Sequence, residues 1–202
     1  MIVDKLIGLI LNSIDTELGL DSEKREQVEF GLKCLFTVVT SYSLIIVSSI
    51  VLRLFPGALL VAIAVGILRS FSGGAHASTS LHCAVIAVFY TNSLAFLSRI
   101  LARNLTETWL FIAAALTAVL GVVLLLLYAP MDVPEKPINS PKRRSRLRLL
   151  SIVSLLIVIV LLLFVKGEHG YAMLLGLGWQ LFSLTPCGER FAKLLDRGLR
   201  RL

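Results

Sequence analysis

Trp109–Ala129 reads WLFIAAALTAVLGVVLLLLYA, 21 residues without one charged side chain. Wound as an α-helix at 1.5 Å per residue, it spans about 31 Å. That matches the roughly 30 Å hydrocarbon core of a bilayer. Further apolar runs lie on either side, at about 35–52, 57–68, 81–98, 149–165 and 171–186. The spacing predicts an all-α polytopic bundle of about six transmembrane segments. Two runs are weaker. The one at 57–68 is too short to span unless it borrows residues from Arg69–Ser72, and the last contains Gly176 and Gly178. Four spans with two re-entrant or tilted segments is the alternative.

The ends are amphipathic. Ile2, Leu6, Leu9, Ile10 and Ile14 recur at helical spacing, and Asp21-Ser22 starts a second helix with Glu23 in its first turn. Residues 1–34 are thus expected as amphipathic helices, 35–186 as the bundle and 187–202 as a basic amphipathic tail, all in one integral membrane domain. No cleavable signal peptide is expected, because the first 33 residues carry mixed charges and no small-residue cleavage site.

Composition narrows the class. The chain is 56% hydrophobic and 16% charged, with a mean hydropathy of +0.86, and so few charges cannot cover a soluble domain. The net charge of +7 does not signal nucleic acid, because the basic residues flank apolar runs instead of forming one face. Three cysteines without a CxxC pair are no disulfide framework.

Charge also sets an expected orientation. With the N-terminus inside and six alternating spans, segments 1–34, 69–80, 130–148 and 187–202 hold 4, 1, 6 and 5 Lys and Arg, sixteen of the 20 in the chain. By the positive-inside rule both termini and the 69–83 stretch face the cytoplasm. Lys142–Arg148 either sets topology alone or also seats an anionic lipid or an acidic substrate segment.

The stretch Arg69-Ser70-Phe71-Ser72-Gly73-Gly74-Ala75-His76-Ala77-Ser78-Thr79-Ser80-Leu81-His82-Cys83 gathers most of the chain's reactive chemistry. A thiol becomes a nucleophile when a base or a positive field makes it a thiolate. Cys83 falls near the start of a span, where unpaired N–H groups and the helix dipole favour the anion. His76 is the candidate base. In one straight helix the two would stand roughly 10 Å apart, too far for proton transfer. The pairing therefore demands a loop at about 70–78 and then a new helix carrying Cys83 in its first turns. Gly73-Gly74 supplies the break, and Ser78, Thr79 or Ser80 the cap.

Other roles stay open. Gly73-Gly74 is either a plain turn or an approach for oxyanion-binding amides. Arg69 is either a carboxylate or charge-stabilising group or an interface anchor. His82 reads as packing, and Cys34 and Cys187 as inert residues near helix ends. His76, His82 and Cys83 as metal ligands lack a paired thiolate or carboxylate cluster, so no metal or cofactor is expected. A transporter is the other alternative, but the spans hold almost no ionisable groups.

Arg69…Gly74-Ala75-His76-Ala77…Cys83, a long span ending Tyr128-Ala129-Pro130, then Lys136-Pro137-Ile138 and a basic run resemble the accessory gene regulator B family. So does the overall layout, with Leu184 and Pro186 near the end. The resemblance implies a membrane cysteine endopeptidase of Gram-positive quorum sensing. Such an enzyme trims the C-terminal tail of a small amphipathic propeptide and promotes its cyclisation to a thiolactone or lactone. It implies Cys83 as nucleophile, His76 as base, and supporting roles for Arg69, Gly74 and Lys136. Asp132 and Glu135 make the Pro130–Lys136 segment less basic than in some members. Asp132, Asn92, Gln180 and Glu189 remain unranked for a third catalytic group. A homodimer is expected from the resemblance and from the small residues Gly176 and Gly178. Membrane lipids are the other expected partner.

Overall fold

The protein is described by a computed structural model over residues 2–75, 77–131 and 140–200, with backbone alone for 2–5. Eight helices account for almost all of it, and the described residues contain no strand. α1 (Ile2–Leu18) and α2 (Ser22–Val51) are separated by a turn at Gly19 and capped by Asp21, whose side chain accepts from the Lys24 amide at 2.8 Å. α3 (Phe55–Ser72), α4 (Ser80–Asn104), α5 (Glu107–Tyr128), α6 (Pro141–Phe164) and α7 (Gly167–Ser183) follow, and α8 (Pro186–Leu199) closes the chain.

Helices α2 to α6, five in all, are long and apolar enough to cross a membrane. α7 has 17 residues, about 26 Å of helix, and is shorter than the others. Even so, the helices alternate in direction from α2 to α7, as their end contacts show. At one end Arg148 donates to the Ala129 carbonyl at 2.9 Å, the Met131 amide to the Ser72 carbonyl at 3.0 Å, and Thr37 to Ser80 at 2.8 Å. At the other, Arg99 pairs with Glu168 at 2.7 Å and also donates to the Arg53 carbonyl, while Tyr171 donates to the Thr106 carbonyl at 3.0 Å. α3 borrows Arg69–Ser72 to reach 18 residues, so the expected loop at 70–78 begins only at Gly73. Cys34 lies within α2, not near a helix end, while Cys187 opens α8.

The core is built around α7 and α3. Ala58, Val61, Ala64, Val65 and Leu68 on α3, and Tyr171, Ala172, Met173, Leu177 and Leu181 on α7, are all buried. Large apolar side chains such as Val47, Phe89, Phe96, Leu116, Leu127 and Phe164 are exposed instead, the arrangement expected when lipid is the solvent. α1 buries Ile7 and Leu11, while Leu6, Leu9 and Ile10 of its apolar stripe face outward.

Small residues let α3 and α7 approach closely. A Cβ on Gly176 would fall 2.8 Å from the Val61 carbonyl oxygen and 3.2 Å from the Ala64 methyl, whereas one on Gly178 would meet nothing within 4 Å. Gly176 is therefore used inside the bundle and is not free to form a dimer seam. Gly176→Val is expected to destabilise the fold by roughly 1–3 kcal/mol through overpacking. Gly178→Val is expected to leave it unchanged. Thermal unfolding of both variants in detergent checks the pair.

Candidate active site

The site is assembled at one end of the bundle from the end of α3, the turn into α4, and the ends of α7 and α8. Gly73 stops α3. Its φ of +69° suits a residue without a Cβ, and its amide donates back to the Arg69 carbonyl at 3.0 Å. That donor is therefore engaged and does not face a substrate carbonyl. A Cβ on Gly73 would stand 2.9 Å from the Met131 carbonyl oxygen, and one on Gly74 only 2.7 Å from a guanidinium nitrogen of Arg69. Both positions are closed to larger residues.

Gln180 holds this turn from α7. Completely buried, it donates through Nε2 to the Gly73 carbonyl at 2.7 Å and to Ser72 Oγ at 3.1 Å. Ser183, one turn on, donates to the Gln180 carbonyl at 2.8 Å. Arg69 reaches across the turn and donates to the Ala75 carbonyl at 2.5 Å. The peptide it grips directly precedes His76. His76 and Lys136 themselves, like Asp132 and Glu135, lie outside the described residues.

The new helix begins where the pairing requires it. Thr79 is the N-cap of α4, its Oγ1 accepting from the His82 amide at 3.1 Å. The Cys83 amide donates to the Thr79 carbonyl at 3.0 Å, the first bond of the helix. Cys83 is half-buried in the first turn, where the orphan N–H groups and the positive end of the helix dipole lie. All three cysteines are thiols.

Of the candidates for a third group, Asn92 lies about 14 Å along α4 from Cys83 and donates to Ser48 at 3.0 Å and to the Val88 carbonyl at 2.8 Å. Glu189 pairs with Lys193 on the surface of α8. Gln180 alone among the described candidates reaches the turn.

The carboxylate that does enter the site is Asp196 of α8. Its Oδ1 accepts from His82 Nδ1 at 2.8 Å, from Ser78 Oγ at 2.8 Å and from the Ser78 amide at 3.2 Å. Its Oδ2 accepts from Arg200 Nε at 3.1 Å. A signal for it exists in the sequence. Gly188, Ala192, Leu195, Asp196 and Leu199 recur at helical spacing, so Asp196 is a carboxylate on the apolar stripe of an otherwise basic helix. His82, expected as packing, is its partner.

The His82 bond above all, then the Ser78 and Arg200 bonds, hold the Asp196 carboxyl well below its ordinary value of 3.8, against the opposing effect of burial. A depressed carboxylate stabilises the fold fully above its unfolded value and loses that contribution as pH falls through the folded one. Acidification from about pH 7 to 5 is therefore expected to leave Asp196's contribution in place, and its loss to come only below 3.8. Hydrogen exchange at the 78–83 amides, corrected for intrinsic rates, measures this.

Among the described residues no group of three or more His, Cys, Asp or Glu is arranged to hold a metal ion. Basic side chains crowd the Cys83 end. Lys142, Arg143 and Arg146 are exposed on the first turns of α6, and Arg190, Lys193 and Arg197 on α8.

The family model described as Accessory gene regulator B matches residues 7–184. The chain is 26% identical over 213 residues to the AgrB-like protein 2 of Clostridium perfringens (strain 13 / Type A), covering 99% of each chain. It is 26% identical over 187 residues to the accessory gene regulator protein B of Staphylococcus aureus (strain JH9), covering 91% of this chain and 94% of that one. No solved structure matches.

Proposed function

The chain belongs to the accessory gene regulator B family, and from that premise we propose that it is a membrane-embedded cysteine endopeptidase of quorum sensing. Its substrate is a small amphipathic propeptide. The enzyme removes the propeptide's C-terminal tail and promotes cyclisation of the remainder to a thiolactone or lactone. The observation that carries the reading is the position of Cys83, in the first turn of a helix that starts afresh after the Gly73-Gly74 turn. That break means that α3 and α4 are not one continuous helix, the arrangement in which positions 76 and 83 would stand two turns apart.

The steps follow from the groups. His76 takes the proton of the Cys83 thiol, and the thiolate attacks the scissile carbonyl carbon. As the C–N bond breaks, His76 returns the proton to the leaving amine, and the tail departs. The remaining propeptide is held as a thioester on Cys83. A thiol or hydroxyl within the propeptide gives its proton to His76 and attacks the thioester carbonyl, the bond to Cys83 sulfur breaks, His76 returns the proton to that sulfur, and the ring closes. Thioester exchange is close to energy-neutral, while making a thioester from an amide is uphill, so tail release or ring removal must draw the reaction forward. A site that excludes water protects the intermediate. Arg69 and Gln180 hold the turn that precedes His76 in the chain. Lys136 has a supporting role with the substrate segment.

The basic end is the cytoplasmic one in this proposal, so both termini and Cys83 face the cytoplasm. Its charges attract the acidic tail of a propeptide and anionic lipid headgroups. The protein acts as a homodimer, with a seam on lipid-facing helices and not on Gly176.

The test is reconstitution in liposomes with the propeptide encoded beside this chain, reading tail release by mass spectrometry. Cys34→Ala and Cys187→Ala are expected to cleave within about twofold of wild type, since surface changes away from a site are near neutral. Cys83→Ala and His76→Ala are expected to release no tail while still binding propeptide. Full tail release by Cys83→Ala would refute the reading.

A further inference from the structure

We infer that Asp196 is a positioning residue for Cys83, acting through Ser78 and His82, so that the C-terminal helix fixes the geometry of the nucleophile. The inference rests on Cys83 being the nucleophile, as proposed above. It concerns a residue outside the 7–184 span that the family model matches.

The geometry is specific. Asp196 is 6% exposed, and a buried carboxylate needs several donors to stay there. Three of its bonds come from one short piece of chain, through the amide and hydroxyl of Ser78 and the imidazole of His82. Ser78 is the second residue after His76, and His82 directly precedes Cys83. One side chain thus ties down both flanks of the Thr79 cap at which α4 begins. The first turn of an isolated helix frays easily, because its amides have no partners further back. Here a carboxylate 118 residues away in sequence pins that turn to a second helix. Arg200 Nε donates to the other carboxylate oxygen at 3.1 Å, which sets the rotation of the carboxylate relative to α8. With His82 Nδ1 on Asp196 at 2.8 Å, one ring nitrogen of the imidazole is committed to this contact. It therefore serves as an anchor and leaves proton transfer to His76.

The consequence is a division of labour. Loss of Asp196 leaves the propeptide's binding surface intact but lets the Cys83 thiol sample orientations that do not face the scissile carbonyl. Small misplacements of this kind lower turnover by about 10²-fold in favourable cases without weakening binding.

The experiment uses the full chain in liposomes in a Cys34→Ser, Cys187→Ser background, with two readouts. The first is the kcat and KM of tail release. The second is the rate at which N-ethylmaleimide labels Cys83, read by intact mass and independent of any peptidase activity. Asp196→Ala is expected to lower kcat by roughly 10- to 100-fold with KM within about twofold. It is expected to label Cys83 several times faster, because the half-buried thiol is freed. Asp196→Asn keeps an oxygen for Ser78 and is expected to fall between Ala and the parent. Lys166→Ala breaks only the surface pair with Glu107 at the opposite end of the bundle and is expected to match the parent in both readouts. Should Asp196→Ala fail to fold, the double variant Ser78→Ala, His82→Asn removes the hydroxyl and imidazole contacts from the α4 side, leaving only the Ser78 amide, and is expected to change the labelling in the same direction. Labelling within twofold of the parent in the folded variants would overturn the inference, as would a raised KM with unchanged kcat. If the parent itself releases no tail, the peptidase reading fails, and the labelling rates still decide whether Asp196 positions the thiol.

Discussion

Cys83→Ser is expected to abolish propeptide tail release, by about 10³-fold or more, while leaving the protein folded and the propeptide bound. The substitution exchanges one chalcogen for another at a half-buried position in the first turn of α4, so packing and helix start are preserved. What changes is acidity. A hydroxyl is not drawn to the anion by a helix N-terminus and one histidine as a thiol is. His76→Gln is expected to show a loss of similar size, and the double variant to be scarcely worse than either single one. Two groups that share one proton act as a unit, and their effects do not add. Kinetics of the three variants on one propeptide, with binding measured separately, check this. Additive losses would mean that His76 and Cys83 act independently, and that the proton path proposed for them is wrong.

Gln180→Leu is expected to carry the next largest effect, a fall in kcat of roughly 10- to 100-fold together with a loss of stability of about 1–3 kcal/mol. Gln180 is completely buried and donates to both Gly73 O and Ser72 Oγ. Leucine fits the volume but leaves the Gly73 carbonyl without that donor. The turn that precedes His76 then loses its tie to α7 and keeps the Arg69 bond to the Ala75 carbonyl, the Met131 amide on the Ser72 carbonyl and its own local bonds. Gln180→Glu keeps the shape and replaces the donor by an acceptor facing a carbonyl, so it is expected to be no better than leucine. Steady-state kinetics and thermal unfolding of both variants make the check. Wild-type kcat in Gln180→Leu would show that the turn needs no support from α7.

The spans were the most legible part of the chain, because lipid requires every crossing helix to be apolar over nearly its full length, and Trp109–Ala129 states this without ambiguity. The break before Cys83 was legible too, since a glycine pair followed by Ser-Thr-Ser encodes a stop and a cap. The end of α3 was read three residues early. Ser70–Ser72 look like loop in isolation, yet the helix continues until Gly73, the first residue whose positive φ ends it. The part least legible was long-range. Nothing near Gly73 announces Gln180, and nothing near Ser78 announces Asp196, because those bonds join residues 107 and 118 positions apart. The one local clue was a carboxylate on the apolar stripe of α8. The basic first turns of α6 and the basic residues of α8 lie at the same end of the bundle as the start of α4.

The measurement that tests the account most directly is an intact-mass spectrum of the wild-type protein, quenched in acid soon after mixing with propeptide in liposomes. The account predicts a covalent adduct of tail-less propeptide on Cys83, released by hydroxylamine as a thioester should be, and absent from Cys83→Ser. Tail release without any such adduct at any quench time, or an adduct mapped to Cys34 or Cys187, would contradict it.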